Sequence, residues 1–289
     1  MMHAQDPAWL ERMYNNRMLV PANGEYMARW ARDSAAVRAA VPCALDLLYG
    51  DGPNETVDVF PAAKADAPVF VFLHGGYWRA LDKSDHSFIA PALTAQGACV
   101  VVPNYALCPG TPEQPVTLRD IVLQMVKALA WTWRNVAAHG GDPSRITVAG
   151  HSAGGHMAAA MLACLWRQVA PDLPARLVRN ALSVSGLFEL APLVRTPFLG
   201  HSLGLTDATA RQLSPAFWPA PTQGELYALV GGAESDEFIR QNTLIRDAWG
   251  RRAVPVCEVL PGLHHFDVLD ALADPGHALH AHATRLLRS

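Results

Sequence analysis

The sequence has 289 residues, of which 51% are hydrophobic and 17% are charged. This composition is typical of one large α/β domain and excludes a disordered chain. The formal net charge of −3 comes from charges scattered along the chain, so nothing indicates binding to nucleic acid or to an anionic membrane surface.

Five cysteines, an odd number, are widely spaced and form no CxxC pair, which argues against both a zinc site and a disulfide framework. They are Cys43, Cys99, Cys108, Cys164 and Cys257. The segment from Met1 to Trp9 lacks the apolar core of a signal peptide, and no stretch approaches the roughly eighteen apolar residues of a membrane span. We therefore expect a cytoplasmic protein with no membrane association.

Residues 1–40 are predicted to form a helical arm, because Trp9, Leu10 and Met13 recur at helical spacing within Pro7 to Asn16. Two β-rich runs follow, Leu45 to Tyr49 and Thr56 to Phe60. The Gly, Asp, Pro and Asn residues between them predict a hairpin at an antiparallel sheet edge.

Continuous apolar runs then alternate with helical stretches, which predicts a parallel sheet buried on both faces. The runs are Val69 to Leu73, Cys99 to Val102, Ile146 to Ala149, Ala181 to Val184, Tyr227 to Val230 and Cys257 to Leu260. The expectation is one domain over residues 1–289, with a mostly parallel sheet of eight strands covered by helices. An irregular insertion at residues 187–223 is expected to form a small lid.

The strongest motif is the G-x-S-x-G pattern from Gly150 to Gly154, which lies between a buried strand and a helix predicted from His156 to about Val169. A strand that reverses into a helix so abruptly strains its central residue and needs small neighbours. Ser152 is therefore the candidate nucleophile, with the helix directed at the oxyanion that forms.

Upstream, the strand that ends at Leu73 runs into His74-Gly-Gly-Tyr-Trp78. Hydrolases with this elbow place half of their oxyanion hole at that point of the chain. The candidate donors are the N–H groups of Gly75, Gly76 and Ala153, while His74 is expected to support the loop. One such donor contributes about 3 kcal/mol in the transition state.

A serine hydroxyl needs a histidine held by a carboxylate, and in this class of hydrolase the chain order is Ser, acid, His. His265 is the preferred base, with His264 as the alternative. Glu234 is the preferred acid because it lies nearer the end of the strand, and Asp236 remains the alternative. Glu237 is expected to be a solvated or helix-capping charge.

No metal site and no cofactor are expected. The C-terminal histidines do not have the i, i+4 spacing of helical metal ligands. They are His277, His280 and His282. His151 and His156 are expected to be packing or hydrogen-bonding residues beside the elbow. The expected partner is a small-molecule substrate, with a homodimer as the oligomer to test.

On these motifs the chain resembles the kynurenine formamidase (arylformamidase) branch of the α/β-hydrolases from about residue 45 to 270. The matching segments are Tyr49-Gly50, Val57 to Phe60, His74 to Trp78, Gly150 to His156, Ser185-Gly186, Glu237 to Gln241 and His265 to Asp267. The resemblance implies the α/β-hydrolase fold and supports His265. It places the triad acid at Glu234, although the family more commonly has Asp there.

The resemblance implies hydrolysis of an aryl formamide such as N-formylkynurenine, through an acyl-enzyme on Ser152. A short-chain carboxylesterase is the main alternative, and a catalytically silent ligand-binding protein is a further one. Tyr77 and Trp78 are expected to contact the substrate because they stand where many esterases have a third glycine. Phe198, Phe217 and Trp218 in the insertion are candidates for the same aromatic surface.

Overall fold

The computed structural model describes residues 6–52 and 54–289, and a sheet of eight strands runs through its centre. The strand order is β1-β2-β4-β3-β5-β6-β7-β8. The strands are β1 Ala44–Leu48, β2 Thr56–Phe60, β3 Ala67–Leu73, β4 Cys99–Pro103, β5 Gly141–His151, β6 Val178–Val184, β7 Leu226–Gly231 and β8 Val256–Leu260.

The first two strands form the predicted antiparallel edge, and the six from β3 to β8 are parallel. Each strand coincides with one of the eight runs expected from the sequence. Pro53 of the predicted hairpin and residues 1–5 of the predicted arm lie outside the described residues.

The central strands are buried on both faces, as their unbroken apolar sequence predicts. In β3, Val69, Val71 and Leu73 pack into the core on one face of the sheet. Phe70 and Phe72 pack into the core on the other face, and all five side chains are fully buried.

Helices cover both faces. Helix α1 and helices α5 to α11 contribute to one core, whereas α3, α4, α12 and α13 contribute to the other. The helices are α1 Pro7–Tyr14, α2 Asn16–Leu19, α3 Asn23–Ala40, α4 Ala90–Ala95, α5 Leu118–Asn135, α6 Ala153–Ala163, α7 Trp166–Val169, α8 Ala191–Val194, α9 Pro197–Leu203, α10 Asp207–Gln212, α11 Asp236–Ala253, α12 Val268–Ala273 and α13 Ala278–Arg288. None of the helices in these described ranges is long and apolar enough to cross a membrane.

Two predicted helices are broken in the structure. The first ends at Tyr14, because the Asn15 side chain accepts a hydrogen bond from the Met18 N–H (3.3 Å) and so begins a new helix, α2. The helix after the elbow ends at Ala163 rather than near Val169. The chain turns there, so that Trp166 is buried in the core.

Candidate active site

The sharp turn between β5 and α6 holds Ser152 in a strained backbone conformation, with φ 56° and ψ −116°. A side chain at either flanking glycine would collide with main-chain atoms. A Cβ at Gly150 would lie 2.1 Å from the Gly154 carbonyl oxygen, and a Cβ at Gly154 would lie 1.9 Å from that of Leu73. The glycines are therefore required by the close approach of backbone segments, as the motif predicts.

The turn is held in place from the neighbouring strand, because the Ser152 N–H donates to the Val184 carbonyl oxygen (2.8 Å). Helix α6 begins at the next residue, so its positive N-terminal end lies beside the serine. Ser152 is only 2% exposed, yet it lines a cavity that His265 also lines.

His265 is paired with Glu234, whose Oε2 lies 2.6 Å from the histidine Nδ1. Because a carboxylate only accepts hydrogen bonds, Nδ1 carries the proton and Nε2 is left free to accept one. The imidazole is held on either side by the rings of Phe238 and His151, at centroid distances of 4.7 and 4.6 Å.

The side chain of Glu234 is fully buried, and both of its carboxylate oxygens accept hydrogen bonds. Oε1 accepts hydrogen bonds from the Gly231 N–H (2.8 Å) and from the Ser185 hydroxyl, which leaves Oε2 for His265. A buried carboxylate with this set of donors is well satisfied, and it orients the imidazole rigidly.

The alternatives considered for base and acid lie elsewhere. Asp236 is exposed as the first residue of α11. His264 accepts hydrogen bonds at Nδ1 from the backbone N–H groups of Phe266 and Asp267 (3.1 and 3.3 Å), and its ring meets Tyr26 edge-on. Neither side chain lines the cavity.

The hydrogen bonds of the described residues include none between the Ser152 hydroxyl and His265. The two side chains share one cavity, and catalytic hydrogen bonds in ligand-free structures are often long and shorten when substrate binds. The structure thus places the candidate nucleophile and the candidate base on one cavity. We expect their hydrogen bond to form when substrate binds.

The glycine loop after β3 approaches the serine closely. A Cβ at Gly75 would lie 3.0 Å from the His151 carbonyl oxygen and 3.3 Å from the Ser152 Cβ. Gly76 has φ +101°, and a Cβ there would lie 2.1 Å from the Ala80 carbonyl oxygen. Gly76 therefore sits where only glycine fits, and Gly75 sits where a side chain would crowd the elbow. Ala153 follows Ser152 directly at the start of α6.

His74 supports this loop. Its Nδ1 lies 2.9 Å from the Gly75 carbonyl oxygen and its Nε2 lies 3.2 Å from Asn104 Oδ1. The Tyr105 ring stacks on the imidazole at 4.1 Å, and its hydroxyl donates to the His74 carbonyl oxygen (2.8 Å). Complete burial lowers the pKa of His74, so the ring stays neutral.

The other histidines beside the elbow are also neutral for the same reason. Burial lowers the pKa of His156 to about 4, and it holds the pKa of His151 well below its usual value. It also lowers to about 3 the pKa of His86, whose ring stacks on His74 at 5.5 Å. His151 Nε2 lies 2.9 Å from the His265 carbonyl oxygen, and His156 Nε2 lies 2.8 Å from that of Leu213. These contacts agree with the packing and hydrogen-bonding roles expected from the sequence.

The cavity in front of Ser152 has a volume of about 720 Å³ and is formed largely by segments distant in sequence. The helical arm contributes Asn15 to Met18, Met27 and Trp30. The insertion contributes Phe198 and Ser202, and the segment after the glycine loop contributes Arg79 to Leu81.

Tyr77 lines the cavity, as expected, and its ring meets Phe198 edge-on at 5.7 Å. Trp78, expected to contact substrate, is instead fully buried against His156 (5.1 Å) and does not line the cavity. Both residues have positive φ, 51° and 55°, and this tight turn directs adjacent side chains to different places.

Two aromatic residues of the insertion also differ from expectation. Phe217 is 42% exposed, and its ring lies under the Arg211 guanidinium. Trp218 is half-buried, and its indole N–H donates to the Gln212 carbonyl oxygen (2.8 Å). Neither lines the cavity, so Phe198 is the member of the three that does.

The arm is locked to the site through buried polar contacts, a connection that the sequence did not reveal. The Tyr77 hydroxyl donates to the Tyr14 carbonyl oxygen (2.7 Å), and the Tyr14 hydroxyl donates to Glu237. Glu237, expected to be solvated or helix-capping, is in fact buried and ion-paired with Arg240 (2.8 Å). Burial and the Glu237 carboxylate raise the pKa of Tyr14, so it stays a hydroxyl donor.

Some residues of the site were not predicted from the sequence, because no motif marks them clearly. Ser185 belonged to a matching segment without an assigned role, although its positive φ of 54° and its bond to Glu234 now give it one. Arg79 directly follows the glycine loop. Arg17 and the rest of the arm lie more than a hundred positions from Ser152, so no local pattern could connect them.

A model of the alpha/beta hydrolase fold matches residues 70–266, so the chain belongs to the α/β-hydrolase family. Within that family it is a hydrolase of the kynurenine formamidase-like type. Curated kynurenine formamidases match most of the chain, and that of Drosophila melanogaster is 30% identical over 237 residues, 78% of this chain and 76% of the relative.

The chain is also similar to two proteins that are not described as formamidases. The carboxylesterase NlhH of Mycobacterium tuberculosis is 44% identical over 103 residues, which is 35% of this chain and 30% of the relative. The solved structure of a candidate thioesterase from Silicibacter sp. TM1040 superimposes with a TM-score of 0.83 at 31% identity, covering 97% of this chain and 99% of that one.

Proposed function

We propose that this chain hydrolyses an aryl formamide such as N-formylkynurenine to formate and the free aryl amine, through a formyl-enzyme on Ser152. The observation that carries the proposal is the His265–Glu234 pair on the same cavity as a strained serine, in a chain similar to kynurenine formamidases. Each part of the site then has a chemical role.

In the first half-reaction, Ser152 Oγ bonds to the formyl carbon while its proton passes to His265 Nε2. The carbonyl oxygen becomes an oxyanion, held by the N–H groups of Gly75, Gly76 and Ala153. His265 then gives the proton to the amide nitrogen, and the C–N bond breaks to release the aryl amine.

In the second half-reaction, His265 takes a proton from water, whose oxygen bonds to the formyl carbon. The same N–H groups hold the second oxyanion. The bond to Ser152 Oγ then breaks, formate leaves, and the serine regains its proton from His265. Glu234 keeps the imidazole in the required tautomer and stabilises the imidazolium in both steps.

A small acyl group and a larger aromatic leaving group suit this cavity. Gly75 and the elbow crowd the serine on one side, which favours a small acyl group there. Tyr77 and Phe198 offer aromatic surface for the leaving group.

We also propose that the insertion at residues 187–223, which supplies Phe198, acts as a lid. We further propose that the enzyme is cytoplasmic, as its five free thiols suggest.

Short-chain ester hydrolysis is the second candidate function, favoured by the similarity to NlhH. The deciding measurement is kcat/KM for N-formylkynurenine beside p-nitrophenyl acetate and butyrate, using wild type and Ser152→Ala. Ser144→Ala is the matched control, because Ser144 is exposed and lies outside the cavity.

Strong formamide turnover that is lost in Ser152→Ala and kept in Ser144→Ala would support the formamidase. Ester turnover alone, with the same dependence on Ser152, would transfer the mechanism to a carboxylesterase. Failure of a fluorophosphonate probe to label Ser152, together with absence of both activities, would indicate a catalytically silent ligand-binding protein.

A further inference from the structure

The cavity in front of Ser152 carries positive charge although the whole chain has a net charge of −3. Arg17 and Arg79 are its lining residues with a full charge, and no Asp, Glu or Lys lines it within the described ranges. Glu234 lies behind His265, and its carboxylate accepts hydrogen bonds from the Ser185 hydroxyl, the Gly231 N–H and His265. An anion that enters the cavity therefore meets two guanidinium groups and no lining carboxylate.

Arg79 is held in position by its own contacts. One of its terminal nitrogens donates to the Phe198 carbonyl oxygen (2.7 Å) and to the Ser202 hydroxyl (3.0 Å). The guanidinium carbon lies 5.3 Å from the centre of the Phe198 ring. Guanidinium carries five N–H donors, and the contacts of the described residues engage one nitrogen, so the remaining donors are available to a ligand.

Arg17 lies on α2 at the exposed rim of the cavity. Its guanidinium lies 4.0 Å from the sulfur of Met27. Among the described residues, neither Arg17 nor Arg79 forms an ion pair with an Asp or Glu.

The two arginines line the same cavity. Partial burial, and next the positive charge of Arg17, lower the pKa of Arg79, while Tyr77 and Glu11 oppose this shift. Glu11 accepts hydrogen bonds from the Phe198 N–H (3.1 Å) and the Asn15 side chain (3.0 Å), and it does not line the cavity. Two neighbouring cations repel each other, and an anion between them removes that repulsion.

We propose that Arg17 and Arg79 bind a carboxylate on the leaving group, which makes the enzyme selective for substrates whose leaving group carries a carboxylate. The inference rests on the proposed function, since it places the acyl carbon at Ser152 and the leaving group toward the arm. A guanidinium matches a carboxylate in shape and charge, and the bonds of Arg79 to the Phe198 carbonyl oxygen and the Ser202 hydroxyl hold its guanidinium at the cavity.

The test compares Nα-acetyl-N-formylkynurenine with its carboxamide. The acetyl group removes the ammonium charge from both compounds, so the pair differs only in the negative charge of the carboxylate. The quantity measured is the ratio of kcat/KM for the acid to that for the carboxamide, in wild type, Arg17→Gln and Arg79→Gln. Arg12→Gln is the matched control, because Arg12 is an exposed arginine on the same arm that does not line the cavity.

We expect wild type to prefer the acid. The ratio should fall about 5-fold in Arg17→Gln, as for an exposed ion pair, and about 10-fold in Arg79→Gln, as for a charged hydrogen bond. The control should keep the wild-type ratio. Arg79 also anchors the insertion, through the Phe198 carbonyl oxygen and the Ser202 hydroxyl. Ser202→Ala therefore serves as a second variant: it removes one of these two anchoring bonds and keeps the charge, so it should retain the preference.

A wild-type ratio near one, or a ratio that neither arginine variant changes, overturns the inference even if N-formylkynurenine is hydrolysed well. A ratio that falls equally in Ser202→Ala also overturns it, since anchoring rather than charge would then be responsible. If only esters are hydrolysed, the proposed function fails, and the same ratio for 3-acetoxybenzoate over 3-acetoxybenzamide tests the arginine pair independently.

Discussion

Replacement of Glu234 by Gln should remove most of the activity while leaving the fold intact. The two side chains have the same shape, and Gln keeps an oxygen for the donors that Oε1 now accepts, the Gly231 N–H and the Ser185 hydroxyl. The amide NH₂ group must then face His265 in place of Oε2. The substitution therefore changes one hydrogen bond in a preserved setting.

The size of the effect follows from that reversed hydrogen bond. An NH₂ group at the position of Oε2, 2.6 Å from Nδ1, donates to that nitrogen and drives the imidazole proton to Nε2. A protonated Nε2 cannot accept the proton of Ser152. The comparable Asp→Asn change in a serine protease triad lowers kcat about 10,000-fold, or about 5 kcal/mol in the barrier, and we expect the same order here.

The assay is kcat/KM for the formamide and for p-nitrophenyl acetate, with thermal unfolding of each variant to check the fold. Asp236→Asn is the control, because it makes the same change of charge two positions away on an exposed side chain. A folded Glu234→Gln protein that keeps more than about a tenth of the wild-type activity would refute the reasoning, as would a large loss in Asp236→Asn.

Three further outcomes are expected. Gly154→Ala should prevent native folding or cost more than about 3 kcal/mol, because the new Cβ would lie 1.9 Å from the Leu73 carbonyl oxygen; urea titration measures the loss. Tyr14→Phe should cost about 1–3 kcal/mol in the same titration, because buried Glu237 loses a hydrogen-bond donor. The free energy of unfolding should fall between pH 6.5 and about 4, and His156→Gln should reduce the slope by up to about 1.4 kcal/mol per pH unit.

The sign of the pH effect follows from proton uptake. His156 has its pKa lowered by burial, so between those pH values the unfolded chain binds a proton that the native chain does not. Acid therefore favours unfolding in that window. An unchanged pH slope of the unfolding free energy in His156→Gln would contradict this account. A Gly154→Ala protein as stable as wild type would contradict the steric argument at the elbow. An unaltered urea midpoint in Tyr14→Phe would contradict the role of its hydroxyl.

Much of the fold could be predicted because its signals are local. A strand buried on both faces must be apolar throughout, so unbroken apolar runs predicted the parallel strands, while the turn residues between β1 and β2 predicted the antiparallel edge. The elbow was equally readable, since Gly150 and Gly154 are required by backbone contacts within and beside a single turn. Helix ends were harder, because Asn15 and Cys164 interrupt helices at points that composition does not mark strongly.

What the sequence by itself determined was the strand–turn–helix around Ser152, the glycine loop, and the order in which a candidate acid and a candidate base follow them in the chain. Tertiary structure decided which member of each neighbouring pair faces the site: Glu234 is buried beside His265 while Asp236 is exposed, and Tyr77 lines the cavity while Trp78 is buried. Adjacent residues have nearly the same local sequence, and only packing against distant segments separates them. The arm that brings Arg17 to the cavity is likewise positioned by contacts across more than two hundred residues, as between Tyr14 and Glu237.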